Sequence, residues 1–190
     1  MFGEIRAGMA EGRGRGGGGG WVEPDCNIPS GDSLARQLLY GQRFLEQEFG
    51  QRCQEFWNPD VFGYSAALPQ IMRKSGIRYF LTQKLSWYQI NKPNNHTFLW
   101  EGIDGSRVLT HFPPADNYNA EANVKDVLFS MTNYKDLERS NEGYMLFGFG
   151  DGGGGPNLAM LEQLTRLRDV DGLPRTEVRP PAEFFQRLQA

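Results

Sequence analysis

The sequence has 190 residues, 39% apolar and 13% aromatic, which is enough for one hydrophobic core and one folded domain. Its 20 Lys and Arg against 23 Asp and Glu leave a net charge of −3, without the basic surface by which proteins bind nucleic acid or an anionic membrane. No apolar run approaches the roughly 18 residues of a membrane span. The two cysteines, Cys26 and Cys53, form no disulfide framework, and no signal-peptide pattern precedes them. A soluble, cytoplasmic protein is expected.

In chain order, nine of the 24 glycines fall in residues 1–20, where Gly12-Arg13-Gly14-Arg15 runs into Gly16 to Gly20. Such a segment loses much backbone entropy on ordering and has little to bury, so residues 1–20 are expected to be disordered. Arginine and glycine together also fit an RNA-binding tail, but one short copy is more often a linker, and no function is assigned to it. Residues 21–190 have the composition of a folded domain. Ser30 or Asp32 can cap a helix whose Leu34, Leu38, Gly41, Leu45 and Phe49 recur at helical spacing. Phe56-Trp57-Asn58-Pro59-Asp60 reads as the end of an aromatic strand running into a turn. Ser65 is expected to cap a second helix, with Leu68, Ile71 and Met72 inward and Gly76 as its stop.

Ile77 to Thr82 reads as a buried strand. Thr97 to Ile103 and Arg107 to Phe112 flank Asp104-Gly105, a hairpin signal. A third helix is expected over Val124 to Leu137 and an apolar strand over Tyr144 to Phe149. That strand empties into Gly150-Asp151-Gly152-Gly153-Gly154-Gly155-Pro156. A fourth helix over Asn157 to Arg168, a last strand and a last helix complete the chain. Strands and helices alternate, which predicts an α/β fold with a mainly parallel sheet, or partial barrel, and flanking helices.

In α/β sheets and barrels, ligands gather at the carboxyl ends of strands. Three such segments each carry an aspartate: Asp25 after Trp21-Val22-Glu23-Pro24, Asp60 after Trp57-Asn58-Pro59, and Asp151 after Phe149-Gly150. Carboxylates among aromatic rings suit glycoside chemistry, in which rings stack on sugar faces while carboxyl groups act as nucleophile and proton donor. Turn-forming or helix-capping aspartates are the plain alternative. Gly148-Phe149-Gly150-Asp151-Gly152-Gly153 also spells the dinucleotide-binding pattern G-x-G-x-x-G, although Asp151 would set a negative charge where a pyrophosphate needs backbone N–H groups. His96 is expected to be solvated in a loop. His111 ends a strand, facing the site or packed in the interior. Asn95-His96-Thr97 spells a glycosylation sequon, expected to stay bare without a secretion signal. No H-x-D, H-x-x-x-H or cysteine-pair spacing marks a closed metal site.

Glu55-Phe56-Trp57-Asn58-Pro59-Asp60-Val61-Phe62-Gly63-Tyr64-Ser65, running on to Ile71, resembles the nucleophile segment of glycoside hydrolase family 38, the class II α-mannosidases. Phe80-Leu81-Thr82-Gln83-Lys84-Leu85-Ser86-Trp87, Phe98-Leu99-Trp100-Glu101-Gly102-Ile103-Asp104-Gly105-Ser106 and Phe147 through Pro156 look like its cytosolic, neutral branch. The likeness runs from Trp21 to about the carboxyl terminus, and residues 1–20 show none.

The resemblance implies a partial catalytic domain of a retaining exo-α-mannosidase that acts on α-mannosyl oligosaccharides with a divalent metal, zinc or cobalt. By the same resemblance Asp60 is nucleophile and metal ligand, and Asp151 the acid/base. Phe62 and Lys84 match substrate contacts, with Tyr118 as an aromatic one; Asp25, from its place at a strand end, is expected to be a further substrate-binding residue. Retention would set Asp60 and Asp151 about 5–5.5 Å apart. The family's H-x-D metal pair has no counterpart in residues 1–20, nor has its downstream His-Asp element one in this chain, so Asp60 stands as the single ligand. One carboxylate binds a divalent ion poorly, and the expectation is that these 190 residues do not hydrolyse mannosides unaided. A non-catalytic mannose-binding or interaction module is the second reading, and a dinucleotide-binding domain the third. The sequence assigns no oligomeric state.

Overall fold

The structure, a computed structural model, describes residues 2–150 and 154–189. It has two units, Met1–Thr82 with Phe98–Thr110, and Gln83–Thr97 with His111–Ala190.

In the first unit, helix α1 covers Phe2–Ala10 and helix α2 covers Gly31–Phe49. Of the two candidate caps for α2, Ser30 serves: its hydroxyl accepts from the Ser33 N–H at 3.3 Å. Gly50, at φ 65°, closes the helix by donating to Glu46 and Leu45 carbonyls. Leu34, Leu38, Gly41, Gln42 and Leu45 make the buried stripe. Gln42 holds the backbone of Cys53 from both sides, accepting from its N–H at 3.0 Å and donating to its carbonyl at 2.8 Å.

Where composition predicts disorder over residues 1–20, the structure has α1 and then a glycine segment laid against α2 and strand β1 (Glu55–Trp57). A side chain on Gly41 would come within 2.3 Å of the Gly20 backbone. Gly19 sits at φ 67°, and the Gly18 carbonyl accepts from Trp57 N–H at 3.0 Å. These glycines are the condition for close backbone approach.

Helix α3 (Leu68–Lys74) links β1 to strand β2 (Tyr79–Leu81), and the two strands pair in parallel with Glu55 opposite Tyr79 and Trp57 opposite Leu81. This is the crossover that a parallel pair needs. Ser65 sits two residues before the cap: its hydroxyl accepts from Ala67 N–H and its carbonyl from Leu68 N–H, and Ala67 takes the cap position. Gly76, at φ 84°, follows the helix as expected. Strands β3 (Thr97–Glu101) and β4 (Arg107–His111) form the hairpin, with Gly105 at φ 80° and Asp104 accepting from Ser106. The sheet order is β1-β2-β4-β3. The fold is therefore α/β with flanking helices, and the four-stranded sheet is mixed. Its core gathers Cys26, Leu34, Leu38, Phe56, Val61, Leu68, Met72, Ile77, Phe80 and Val108.

In the second unit, a 3-10 turn covers Lys84–Trp87, followed by helices α4 (Val124–Asn133), α5 (Leu158–Arg166) and α6 (Pro181–Gln189). Asn123 and Asn157 cap α4 and α5. Helix α4 stops short of Leu137 because the Lys135 N–H donates to His96 Nδ1 instead of continuing the helix. The strand expected over Tyr144 to Phe149 is only a bridge between Ala120 and Phe147. Tyr144 gives its N–H to a side chain, His111, and Gly148 turns the backbone at φ 112°. Among the described residues no strand forms between α5 and α6. No helix among them is long and apolar enough to cross a membrane.

Candidate active site

The turn after β1 is anchored by its buried members, which leaves the others presented outward. Asn58 is fully buried; its N–H donates to the Leu81 carbonyl at 2.9 Å and its amide to the Pro24 carbonyl at 3.2 Å. Val61 is buried, and its carbonyl accepts from the Tyr64 hydroxyl, which also bonds Thr82 Oγ1. Gly63 takes φ 126°, and a side chain there would meet the Asn27 amide at 2.7 Å. That same amide donates to the Phe62 carbonyl at 3.1 Å.

Between these anchors stands Asp60, half-buried, its N–H donating to Glu23 Oε1 at 2.6 Å. Phe62 follows with 71% of its surface exposed. A carboxylate and an open ring thus share one braced turn at the carboxyl end of β1. Burial first, and then the charges of Cys26, Glu23 and Asp60, hold the Tyr64 phenol above its ordinary range.

Asp25 lies beside this turn but is engaged otherwise. Its two oxygens accept backbone N–H groups from Asn27 at 3.1 Å and Ile28 at 3.2 Å, the geometry of a turn-forming aspartate.

In the second unit, Lys84 and Tyr118 come together. Lys84 is buried, with Nζ 3.6 Å from the centre of the Trp87 ring and 4.8 Å from that of Tyr118. An ammonium between two rings is held by their quadrupoles. Asp116, at φ 54°, directs its carbonyl to Trp87 Nε1 at 2.5 Å and Gln83 Nε2 at 2.6 Å, which fixes the indole. A side chain on Gly150 would lie 2.8 Å from the Tyr118 ring, so the glycine turn crosses that ring's edge. Asp151, Gly152 and Gly153 lie outside the described residues. Trp87 was not singled out in the sequence as a partner of Lys84; its signal is the three-residue spacing from Lys84 on one short helical turn.

Neither histidine is solvated. His96, expected in an open loop, is 4% exposed, and the Asp136 carboxylate accepts from the Asn95 side-chain amide and from the backbone N–H groups of His96 and Thr97. His111 takes the interior alternative and is fully buried. The Asn95 amide, in the sequon, donates to Asp136. Among the described residues no group of three or more His, Cys, Asp and Glu side chains converges as a metal site.

The sequence profile of the glycosyl hydrolases family 38 N-terminal domain matches residues 1–190. The chain belongs to glycosyl hydrolase family 38. The match takes in residues 1–20, where no likeness was expected. Among relatives, alpha-mannosidase G of Dictyostelium discoideum is 59% identical over 172 residues, 90% of this chain and 16% of that protein. Alpha-mannosidase 2C1 of Homo sapiens is 56% identical over 173 residues, 91% of this chain and 17% of that protein. The alpha-mannosidase of Saccharomyces cerevisiae is 53% identical over 154 residues, 81% of this chain and 14% of that protein. The chain thus spans about a sixth of the length of the first two relatives. The crystal structure of an alpha-mannosidase from Enterococcus faecalis V583 superposes with a TM-score of 0.74 over 97% of this chain and 21% of that chain; at 15% identity this shows the shared fold.

Within family 38 the glycine run needs no dinucleotide reading. That fingerprint requires a strand feeding its first turn, and Tyr144 to Phe149 supplies a single bridge.

Proposed function

We propose that the chain is part of the catalytic domain of a retaining exo-α-mannosidase in which Asp60 is the nucleophile. The observation that carries this reading is the half-buried Asp60 beside exposed Phe62 on the braced turn after β1, in a chain of family 38. The substrate is a terminal α-mannosyl unit of an oligosaccharide. An Asp60 oxygen attacks the anomeric carbon as the bond to the leaving oxygen breaks, and Asp151 gives that oxygen its proton. A water molecule, deprotonated by Asp151, then displaces Asp60 and releases mannose with its configuration retained. Phe62 offers a face for the sugar's apolar side, and Lys84 and Tyr118 provide polar and aromatic contacts. Asp25 serves through the turn it ties. A cytoplasmic location belongs to the same proposal, supported by the likeness to the neutral branch of the family.

The resemblance calls for zinc or cobalt with Asp60 among its ligands. The described residues offer no set of three ligands, so they do not by themselves fit the ion, and the steps this chain supports are those of its carboxylates. Assayed alone on an aryl α-mannoside with either metal added, the chain is expected to show no sustained turnover.

The nucleophile is tested in a chimera in which this chain replaces the matching segment of the Dictyostelium relative. The chimera is expected to hydrolyse the mannoside with retention, and Asp60→Asn to lower kcat at least about a thousandfold. Activity that survives Asp60→Asn would end the assignment.

A further inference from the structure

Both histidines of the chain accept a backbone N–H in the second unit. The Lys135 N–H donates to His96 Nδ1 at 3.1 Å, and the Tyr144 N–H donates to His111 Nε2 at 3.2 Å. A ring nitrogen that accepts carries no proton. Each imidazole is therefore neutral, and the two are opposite tautomers: His96 carries its proton on Nε2, His111 on Nδ1. The His111 Nδ1–H meets Thr97 Oγ1 at 2.9 Å, and the Thr97 hydroxyl lies 3.1 Å from that of Tyr134.

Charged and titratable neighbours come from several segments. Asp116, Lys135 and Asp136 act on His96, while His96 and Asp136 act on His111. Lys92 lines the small cavity beside His96 with Asp116 and Lys135. Rings of Tyr134 and Phe184 pack on His111 at 6.2 and 4.7 Å. Burial outweighs the nearby carboxylates and lowers both basicities, that of His111 to about 3.

We propose that His96 and His111 form a paired proton-release joint: a proton on either ring removes the acceptor that ties a backbone N–H and frees the segment held there, Lys135–Asp136 at His96 and Tyr144 at His111. Tyr144 leads through the Ala120–Phe147 bridge to Gly148, so its release loosens the backbone over residues 144–148. The joint follows from hydrogen bonding and stands whether or not the chain hydrolyses a mannoside.

The test is NMR of the unsubstituted chain with 15N-labelled imidazoles, together with amide exchange at falling pH. At about pH 7.5 the expected protonated nitrogens are Nε2 in His96 and Nδ1 in His111. Toward about pH 4 the protection factors of the Lys135 and Tyr144 amides are expected to drop at least about tenfold while those of α2 persist. His111→Gln, whose amide oxygen can still accept, should make Tyr144 protection independent of pH. If that variant fails to fold, the tautomers and exchange of the unsubstituted chain decide. A ring in the other tautomer would overturn the joint, as would one that titrates near its ordinary value of about 6.5 with its amide still protected. Loss of α2 protection at the same pH, or exchange unchanged throughout, would overturn it as well.

Discussion

A side chain's role here is set by the groups its immediate neighbours engage. Asp25 and Asp60 occupy similar Pro-containing turns, yet Asp25 spends both oxygens on backbone N–H groups, while Glu23 takes up the Asp60 N–H and steadies that turn. The same reasoning makes the two cysteines inert. Burial, the largest cause, pushes both thiols up to about 12; Asp25 adds to this for Cys26 and Glu55 for Cys53. A thiol-specific disulfide reagent at about pH 8 is expected to leave both unmodified in the native chain and to modify both after denaturation. Rapid reaction of either in the native state would contradict this burial. At this scale the sequence speaks through local spacing and family likeness, which singled out Asp60, Lys84 and Tyr118. It is silent about His96, whose partners Lys135 and Asp136 are some forty residues distant and leave no pattern in the neighbouring residues.

Elements were legible where their signals are local. The Ser30 cap (one of two candidates), the start of α5 at Asn157, the stop at Gly76 and the Asp104-Gly105 hairpin turn each act within four residues. Elements whose backbone groups are claimed by distant partners were not. Helix α4 loses its expected last turn to His96, and the apolar run from Tyr144 loses its strand to His111. The glycine segment is the largest such case: composition counts only its entropic cost, whereas Gly41 on α2 reveals what the glycines admit. Two substitutions on α2 separate local from distant effects. Ser30→Ala removes one cap bond and is expected to cost about 1 kcal/mol. Gly41→Ala drives a methyl group into the Gly20 backbone at 2.3 Å, where no flexible side chain can yield, and should cost about 2–3 kcal/mol or more. Denaturant unfolding of both variants checks the order. Equal losses would mean that residues 18–20 do not rest on α2 in solution.

Across the molecule, the two units carry buried titratable groups of opposite sign. In the first, burial raises the Glu55 carboxyl above its ordinary value, so its contribution to stability grows as pH falls through that raised value. In the second, His96 and His111 are lowered, chiefly by burial, His111 to about 3. The unfolded chain protonates each near 6.5, so their contribution is complete above that pH and is lost as pH falls toward the folded values. Each histidine can supply a slope of up to about 1.4 kcal/mol per pH unit in that window. Asp136 adds nothing there. Burial would raise its carboxyl, but hydrogen bonds from Asn95, Thr97 and His96 outweigh it and hold the carboxyl below its ordinary range, which moves its loss to lower pH. Mild acid should therefore loosen the second unit while the first gains. Limited proteolysis at about pH 5 is expected to cut first around residues 134–145, with α2 and α3 intact, and replacing both histidines by Gln should remove the difference between about pH 7 and about pH 5. Cleavage that begins in α2, or a pattern identical at both pH values in the unsubstituted chain, would mean that the buried imidazoles do not govern the acid response.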